Sequence, residues 1–205
     1  KLMEIHGVPL GSRRVLAFHD HSGDGIITKL VAQMKAGQSV AYVSEAGTPL
    51  VADPGYELGV AAIAAGVSVQ SAPGASAVLA ALTVSGLATD RFAFVGFLPN
   101  SKAQRQTEIA ALRNVEFTLV FYESPKRIHE MLDDLVQVLG EEREAAVCRE
   151  LTKKFEEVQR GTLASLVAGL KGRRLKGEIV VLVGREGATE VIDADIDAAL
   201  AQALE

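Results

Sequence analysis

The chain has 205 residues, of which 48% are hydrophobic, and a formal net charge of −5. This composition excludes an intrinsically disordered protein, and the net acidity argues against a dedicated nucleic-acid coat protein. The longest apolar stretch, from Val60 to Val69, is interrupted by Gly66 and Ser68 and is too short to cross a bilayer. The single cysteine, Cys148, cannot form an intrachain disulfide, which favours a reducing cytoplasmic compartment.

The charges are distributed unevenly along the chain. Residues 101–185 contain 15 basic and 13 acidic residues, whereas residues 186–205 contain six acidic residues and no basic ones. On composition alone, a solvated surface of mixed charge is the favoured interpretation of the basic half. A surface that meets a polyanion is the alternative.

Short β-branched or aromatic runs alternate with Ala/Leu-rich segments, which predicts an α/β fold with a mostly parallel sheet. The predicted strands are Val15–His19, Val40–Ser44, Val67–Gln70, Phe92–Phe97, Phe117–Tyr122, Ala145–Arg149 and Ile179–Val183. The predicted helices are Ile26–Ala36, Tyr56–Ala65, Ser76–Ser85, Ala103–Arg113, Arg127–Leu139 and Leu163–Leu170. Residues Glu156–Gly161 predict one more strand, antiparallel to its neighbour, which makes the second sheet mixed.

A polar turn at Gly86–Arg91 predicts a boundary between two domains. The N-terminal domain then covers residues 1–90 and the C-terminal domain covers residues 91–187. Residues 188–205 form an acidic, Ala-rich tail with one predicted helix, Asp193–Leu204.

The predicted strand Val40–Ser44 leads into a twelve-residue link, Ser44–Gly55, which holds two glycines and two prolines. An ordered link of this length is usually functional, and ligands of α/β proteins bind at the carboxyl ends of strands. Asp53 could accept a hydrogen bond from a ligand hydroxyl or amino group, or it could cap the helix that follows Pro54. Both roles remain open.

A second link, Ser71–Ser76, follows the next predicted strand. Its small residues and the free N–H groups of the following helix could cradle a polar ligand, with Ser76 as the N-cap. When this link is taken alone, an ordinary strand-to-helix turn is the favoured interpretation. Two Pro-Gly links after successive strands favour a shared pocket.

Two further clusters of polar residues follow strands in the second half of the chain. Tyr122–Arg127 contains a tyrosine, a carboxylate, a hydroxyl and two cations, and Ser124 before Pro125 has the residue types of a helix N-cap. Arg149–Glu157 places charged and hydroxyl side chains after another strand, and a solvated hairpin is the alternative to a site.

Other chemistries have little support in the sequence. No dinucleotide-binding or Walker A motif follows a strand, and no nucleophile elbow is present. His19 and His21 flank Asp20, but no further ligand is placed to complete a metal site, so no metal is predicted.

Taken together, five segments resemble the tetrapyrrole-methylase superfamily, and within it the branch that methylates small-subunit ribosomal RNA. The match runs from about Lys1 to Gly184. The segments are Ser44–Gly55, Ala72–Ala77, Phe121–Arg127, Arg149–Lys153 and Lys176–Val180. The resemblance implies two α/β domains with S-adenosylmethionine in the cleft between them, usually in a homodimer. It also implies methyl transfer to the 2′-hydroxyl of a cytidine in 16S ribosomal RNA of the 30S subunit.

The resemblance also assigns residues to the site. The implied cofactor-binding residues are Gly47, Thr48, Asp53, Pro54, Gly55, Pro73, Gly74, Ala75, Ser76, Tyr122 and Ser124. The catalytic hypothesis names Glu123 as base or orienter, with Arg149 and Lys153 binding phosphate or stabilising a developing alkoxide.

Two departures from the family pattern stand out. The family's N-terminal strand and its Pro-Ile-Gly-Asn loop have no counterpart in this sequence. The predicted fold is therefore the two-domain α/β fold of the family with its N-terminal strand missing. Lys126 stands where the family commonly has histidine, and it could contact phosphate. Two alternatives remain open: methylation of a tetrapyrrole precursor, and a non-catalytic binding module with the same fold.

Overall fold

The computed structural model describes residues 2–19, 24–44 and 47–186. The chain divides into two compact units, Lys1–Ser76 and Ala77–Glu205, which we call unit 1 and unit 2. The predicted tail at 188–205, with its helix Asp193–Leu204, lies outside the described residues. Within the described ranges, no helix is both long and apolar enough to cross a membrane.

The described residues of unit 1 form the helices α1 (Leu2–Ile5), α2 (Asp24–Lys35) and α3 (Tyr56–Ala64). The helices predicted at Ile26–Ala36 and Tyr56–Ala65 are therefore confirmed to within two residues. Leu58 and Ala62 are the buried side chains of α3, four residues apart on one face.

The three strands predicted for unit 1 were wrong. Residues 15–19, 40–44 and 67–70 have no regular secondary structure, and the described residues of unit 1 contain no strand. Val43 is 62% exposed and Val69 is 51% exposed. A β-branched run favours an extended backbone, but a strand also needs a neighbour that supplies ladder hydrogen bonds. These segments have no such neighbour in the described part of unit 1.

Unit 2 is built on one five-stranded sheet with the order β1-β2-β5-β3-β4. The strands are β1 (Phe92–Phe97), β2 (Thr118–Glu123), β3 (Glu144–Arg149), β4 (Glu157–Thr162) and β5 (Ile179–Val183). All five match predicted strands to within one residue at each end.

The predicted predominance of parallel pairing was wrong, whereas the predicted mixed sheet is confirmed. Only β1 and β2 pair in parallel, and the other three neighbouring pairs are antiparallel. The loop from β3 to β4 is only seven residues long, which allows a hairpin but not a parallel crossover. The last strand, β5, then inserts between β2 and β3.

Helices cover both faces of this sheet. They are α4 (Ala77–Ser85), α5 (Lys102–Ala111), α6 (Ile128–Leu139) and α7 (Leu163–Leu170). Helix α4 packs against the face that carries Val120 and Leu182. The other three helices pack against the face that carries Phe121 and Val181, because successive strand residues point to opposite sides.

The packing of α4 explains where the chain divides. The sequence predicted a boundary at Gly86–Arg91, whereas the division falls after Ser76. Val78, Ala81 and Leu82 of α4 are buried against the sheet of unit 2, so this helix belongs with the strands that follow it.

Candidate functional site

The link that leads into α3 has an unusual backbone. Gly47 and Gly55 have φ values of 73° and 110°, and Leu50 and Ala52 also have positive φ values, of 70° and 51°. Non-glycine residues adopt this region rarely, and such strain is concentrated at ligand sites. The link therefore has the backbone of a functional loop.

Gly55 cannot be replaced without movement of its neighbours. A Cβ atom there would lie 2.6 Å from Cδ2 of Leu50 and 3.1 Å from Cζ of Tyr42. The chain enters α3 at this close contact. Glycine fits there because it adopts the positive φ angle and because it has no side chain to fill the occupied space.

Asp53 has an unsatisfied carboxylate oxygen. Helix α3 begins at Tyr56 with Gly55 as its N-cap and has no side-chain capping hydrogen bond, so Asp53 does not cap it. Its Oδ2 atom is buried and has no hydrogen-bond partner among the residues that the structure describes. An orphaned buried acceptor is costly unless a ligand or water satisfies it, and a hydroxyl or amino group of a ligand fits it.

The two links of unit 1 meet each other. The Thr48 hydroxyl donates to the carbonyl oxygen of Ala75 at 3.2 Å, and a Cβ on Gly47 would lie 3.8 Å from the same oxygen. Pro73, Gly74 and Ala75 are exposed, while Thr48, Pro54 and Ser76 are half-buried. The structure thus brings the first half of one predicted cofactor loop beside the end of the other.

In unit 2, Glu123 ends β2 and is 3% exposed. Its Oε1 accepts from the backbone N–H of Ser124 at 2.6 Å, and its Oε2 accepts from the Arg127 guanidinium at 2.9 Å. Arg127 also donates to the carbonyl oxygen of Leu98 at 2.7 Å, so the pair ties the end of β2 to the loop after β1. Both carboxylate oxygens are occupied, which favours the positioning role of Glu123 over the role of base.

Ser124 does not cap α6 as the sequence predicted. The helix begins at Ile128 with Arg127 as its N-cap, and a turn separates it from Ser124. The Ser124 carbonyl accepts from the N–H groups of Arg127 at 3.1 Å and Ile128 at 3.2 Å. Capping by the Ser124 side chain is thus replaced by a backbone turn.

Tyr122 points to the opposite face from Glu123, because they are neighbours on one strand. Its ring contacts Phe94 and Phe97 in edge-to-face geometry, with centroid distances of 4.8 and 5.6 Å. Burial and the nearby Glu178 carboxylate raise the pKa of the Tyr122 phenol. Tyr122 and Glu123 therefore cannot act on one atom from a common side of the sheet.

Arg149 of β3 and Arg173 of the loop after α7 bind the same carboxylate, that of Glu157 on β4. Arg149 binds Glu157 at 3.1 Å, and Arg173 binds both oxygens of the same carboxylate at 2.9 and 3.0 Å. Hydrogen bonds from Arg173, then from Gln159 and Arg149, lower the pKa of Glu157 to about 2. Glu157 therefore stays ionised between two guanidinium groups.

Lys153 is held by two carboxylates, at 2.9 Å from Glu150 and 2.6 Å from Glu178. These hydrogen bonds raise the pKa of the Lys153 ammonium. Glu150 also accepts from the Glu178 N–H at 2.9 Å, which joins the β3–β4 loop to the start of β5. The solvated-hairpin interpretation was right about the hairpin, but its charges are fixed to the sheet edge.

Strand register brings part of the predicted set together. Glu123 of β2 pairs with Ile179 of β5, and Ile179 also pairs with Arg149 of β3. Arg149 in turn pairs with Glu157 of β4, so the four residues form one row across the sheet. Adjacent strands lie about 4.8 Å apart, so Glu123 and Arg149 are separated by two strand spacings. The predicted catalytic residues Glu123, Arg149 and Lys153 thus share one sheet edge, but each is paired with a different carboxylate or cation.

The sequence did not single out the residues that anchor these charges. Glu178 and Arg173 lie outside the predicted site, yet they fix Lys153 and Glu157. The run of cations at 171–176 was the signal for Arg173. Residues Lys176–Val180, one of the five matching segments, contain Glu178.

Residues 9–167 match the sequence model of the Tetrapyrrole (Corrin/Porphyrin) Methylases. Since this match covers most of the chain, the protein belongs to that family, and the resemblance inferred from the five segments is confirmed. The α/β fold class is confirmed with it.

The chain is 49% identical over 197 residues to the "Ribosomal RNA small subunit methyltransferase I" of Mesorhizobium japonicum, covering 96% of this chain and 66% of that protein. It is 41% identical over 174 residues to the protein of the same name from Halalkalibacterium halodurans, covering 85% of this chain and 60% of that one. This chain thus spans less than two thirds of the length of either relative.

A solved structure shares the fold. It is the uroporphyrin-III C-methyl transferase from Thermus thermophilus complexed with S-adenyl homocysteine, with a TM-score of 0.54 and 23% identity. The match covers 79% of this chain and 73% of that one. At this identity the likeness shows the fold alone.

Proposed function

We propose that the protein is an S-adenosylmethionine-dependent methyltransferase that methylates the 2′-hydroxyl of a cytidine in 16S ribosomal RNA. The observation that carries the proposal is the 49% identity, over 96% of the chain, to a relative named as a small-subunit ribosomal RNA methyltransferase. The identity covers both loops of unit 1 and the sheet edge of unit 2, where the charged residues lie.

The loop geometry of unit 1 supports a cofactor-binding role for this unit. S-adenosylmethionine, when bound, supplies a methyl group on a sulfonium centre. The unsatisfied Oδ2 of Asp53 is suited to accept from a hydroxyl or amino group of its nucleoside or amino-acid part. The proposed holding residues in this unit are Gly47, Thr48, Asp53, Pro54, Gly55, Pro73, Gly74, Ala75 and Ser76.

Tyr122 and Ser124 are the proposed cofactor residues of unit 2. The half-buried Tyr122 ring lies between Phe94 and Phe97, and an aromatic surface of this kind can pack against a planar base or a sulfonium cation. Ser124 keeps its hydroxyl for a ligand, because its backbone N–H is the group that binds Glu123.

The acceptor is assigned to the charged edge of the sheet. Glu123, held by Arg127, positions the loop after β2. Arg149 shares one carboxylate with Arg173, which leaves net positive charge where a ribose oxygen or a phosphate would be bound. Lys153 would exchange one of its two carboxylate partners for the same ligand. Orientation of the hydroxyl supplies much of the rate in a displacement of this kind, and a nearby cation stabilises negative charge that develops on oxygen.

The proposal includes a homodimer that works in the cytoplasm. Both follow from the family resemblance and from a ribosomal substrate. Sedimentation of the purified protein tests the dimer: a single species of monomer mass at the concentrations used for activity would remove this part of the proposal.

Tritiated S-adenosylmethionine tests the substrate. We expect label in 16S RNA of 30S subunits isolated from cells that lack the enzyme, and no label in a uroporphyrinogen substrate. Label in the tetrapyrrole alone would favour the first alternative, methylation of a tetrapyrrole precursor. Cofactor binding without any transfer would favour the non-catalytic module.

A further inference from the structure

The loop between α7 and β5 is strongly basic. Residues 171–176 read Lys-Gly-Arg-Arg-Leu-Lys, with four cations and no carboxylate. We call this segment the basic loop. The cations of residues 171–176 are exposed, and the buried side chain of Leu175 anchors the loop in the core.

Three polar contacts hold the backbone of the basic loop in place. Arg173 binds Glu157 through both guanidinium nitrogens, and the Arg173 carbonyl lies 3.0 Å from Nε2 of His129. The Lys176 carbonyl accepts from Arg149 at 3.3 Å. The loop is thus ordered before any ligand binds, which lowers the entropic cost of binding.

These contacts use only one of the four cationic side chains. In the part of the chain that the structure describes, no carboxylate is recorded as a partner of Lys171, Arg174 or Lys176. The same holds for Lys126, which lies in the turn that leads to α6. Unpaired, exposed cations on an ordered loop are a surface for an anion.

A shallow cavity of about 330 Å³, open to solvent, lies at this loop. It is lined by Pro125, His129, Gly172, Arg173, Arg174 and Leu175. Of these residues, Arg174 has no recorded carboxylate partner within the described ranges, and a guanidinium group is a usual donor to phosphate oxygens.

We propose that the basic loop and this cavity bind the phosphodiester backbone of the RNA that carries the target nucleotide. The inference rests on the proposed function for the choice of RNA. Arg149 touches both the loop and the row of charges at the sheet edge, so the two surfaces are continuous. The loop holds the RNA strand by charge, independent of its sequence.

The test is the salt dependence of RNA binding by the whole protein, measured by fluorescence anisotropy with a single-stranded RNA of mixed sequence. The variant is Lys171→Ala with Arg174→Ala. The matched control is Arg91→Ala with Lys102→Ala, which removes two exposed cations elsewhere on unit 2. Calorimetry with S-adenosylmethionine and the thermal midpoint check that the fold is intact.

We expect the slope of log affinity against log salt to fall by about 1.4 in the loop variant, at about 0.7 for each lost phosphate contact. The advantage of the wild type then shrinks about sevenfold between about 50 and about 200 mM salt. The control variant should keep the wild-type slope.

The inference fails if the loop variant keeps the wild-type slope. It also fails if the control variant loses as much of the slope as the loop variant, because the effect would then come from net charge and not from the loop. Polyglutamate binding as tight as RNA binding would overturn the assignment to phosphate. If the wild type methylates no RNA but the loop variant still differs in slope, the proposed function fails and the binding surface stands.

Discussion

Arg173 binds both carboxylate oxygens of Glu157, at 2.9 and 3.0 Å. The same carboxylate receives Arg149, so one acidic residue joins the basic loop to the edge of the sheet. The arrangement keeps two guanidinium groups close together without mutual repulsion, because the anion between them offsets their charge.

The first prediction concerns the acid stability of this junction. The pKa of Glu157 is lowered from 4.5 to about 2, so the ionised carboxylate stabilises the fold at a pH above about 4.5, and this stabilisation is lost as pH falls towards about 2. Wild type should exceed Glu157→Gln in unfolding free energy by about 1 to 3 kcal/mol at neutral pH, with the difference shrinking over that window. Urea unfolding at a series of pH values measures this difference in unfolding free energy.

Glu142→Gln is the control for this series, because Glu142 is an exposed carboxylate in the same unit. It should track the wild type. A difference between wild type and Glu157→Gln that stays constant from neutral pH to about pH 2 would refute the assigned role of the ion pairs.

A second prediction uses two glycines on the segment that enters β5. Gly177 has a φ of 91°, and a Cβ there would lie 2.3 Å from the carboxyl carbon of Glu150. Gly172 has a φ of 75° and no atom within 4 Å of the same position. Gly177→Ala should therefore cost about 1 to 2 kcal/mol more stability than Gly172→Ala, as measured by urea unfolding.

The excess should disappear when Glu150 is shortened. In a Glu150→Ala background the obstructing carboxylate is gone, and the two glycine substitutions should then cost the same within about 0.5 kcal/mol. An excess that persists in that background would mean that the backbone conformation at Gly177, and not the contact with Glu150, limits the substitution.

The sequence predicted the strands and helices of unit 2 well because each has a strong local pattern. Ile179–Val183 is a continuous apolar run, and every one of its residues is buried. Unit 1 shows the limit of this method. Val40–Ser44 has the composition of a strand, but strand formation depends on a neighbour that local sequence does not specify.

The site was only partly predictable for a related reason. The sequence located the loops, since long Gly/Pro links and charged strand ends are visible in it. It could not show that Glu123 is closed off by Arg127, or that Lys153 joins Glu150 and Glu178. These pairings depend on strand register and on a hairpin that brings distant residues together.

The third prediction concerns Asp53. Because its Oδ2 has no partner among the described residues, Asp53→Ala should leave the unfolding free energy unchanged or raise it. It should weaken S-adenosylmethionine binding by about 10- to 100-fold, the value of a hydrogen bond to a charged group. Titration calorimetry measures the affinity of Asp53→Ala and of a control, Glu57→Ala, which lies in the first turn of α3. The control should keep the wild-type affinity. Unchanged affinity in Asp53→Ala would remove it from the cofactor site.

The fourth prediction separates positioning from proton transfer at Glu123. Loss of a general base typically costs 10²- to 10⁴-fold in rate. Glutamine keeps one acceptor oxygen for Arg127, but its amide NH2 would face the Ser124 N–H, so Glu123→Gln should lower the methylation rate by about tenfold through the loss of one hydrogen bond. The shape of the pH–rate profile should not change, because no proton transfer is lost. Glu116→Gln, at an exposed site on the same unit, is the control. A loss of 10²-fold or more with a changed profile would restore the role of base.

The most direct measurement of the central claim is mass spectrometry of nucleosides from 30S subunits, taken from cells that lack the enzyme and incubated with the whole protein and S-adenosylmethionine. We expect one new methyl group on the ribose of a cytidine in 16S RNA, and none when the cofactor is left out. A methyl group on a base, or 30S subunits that remain unmodified while another substrate is methylated, would contradict it.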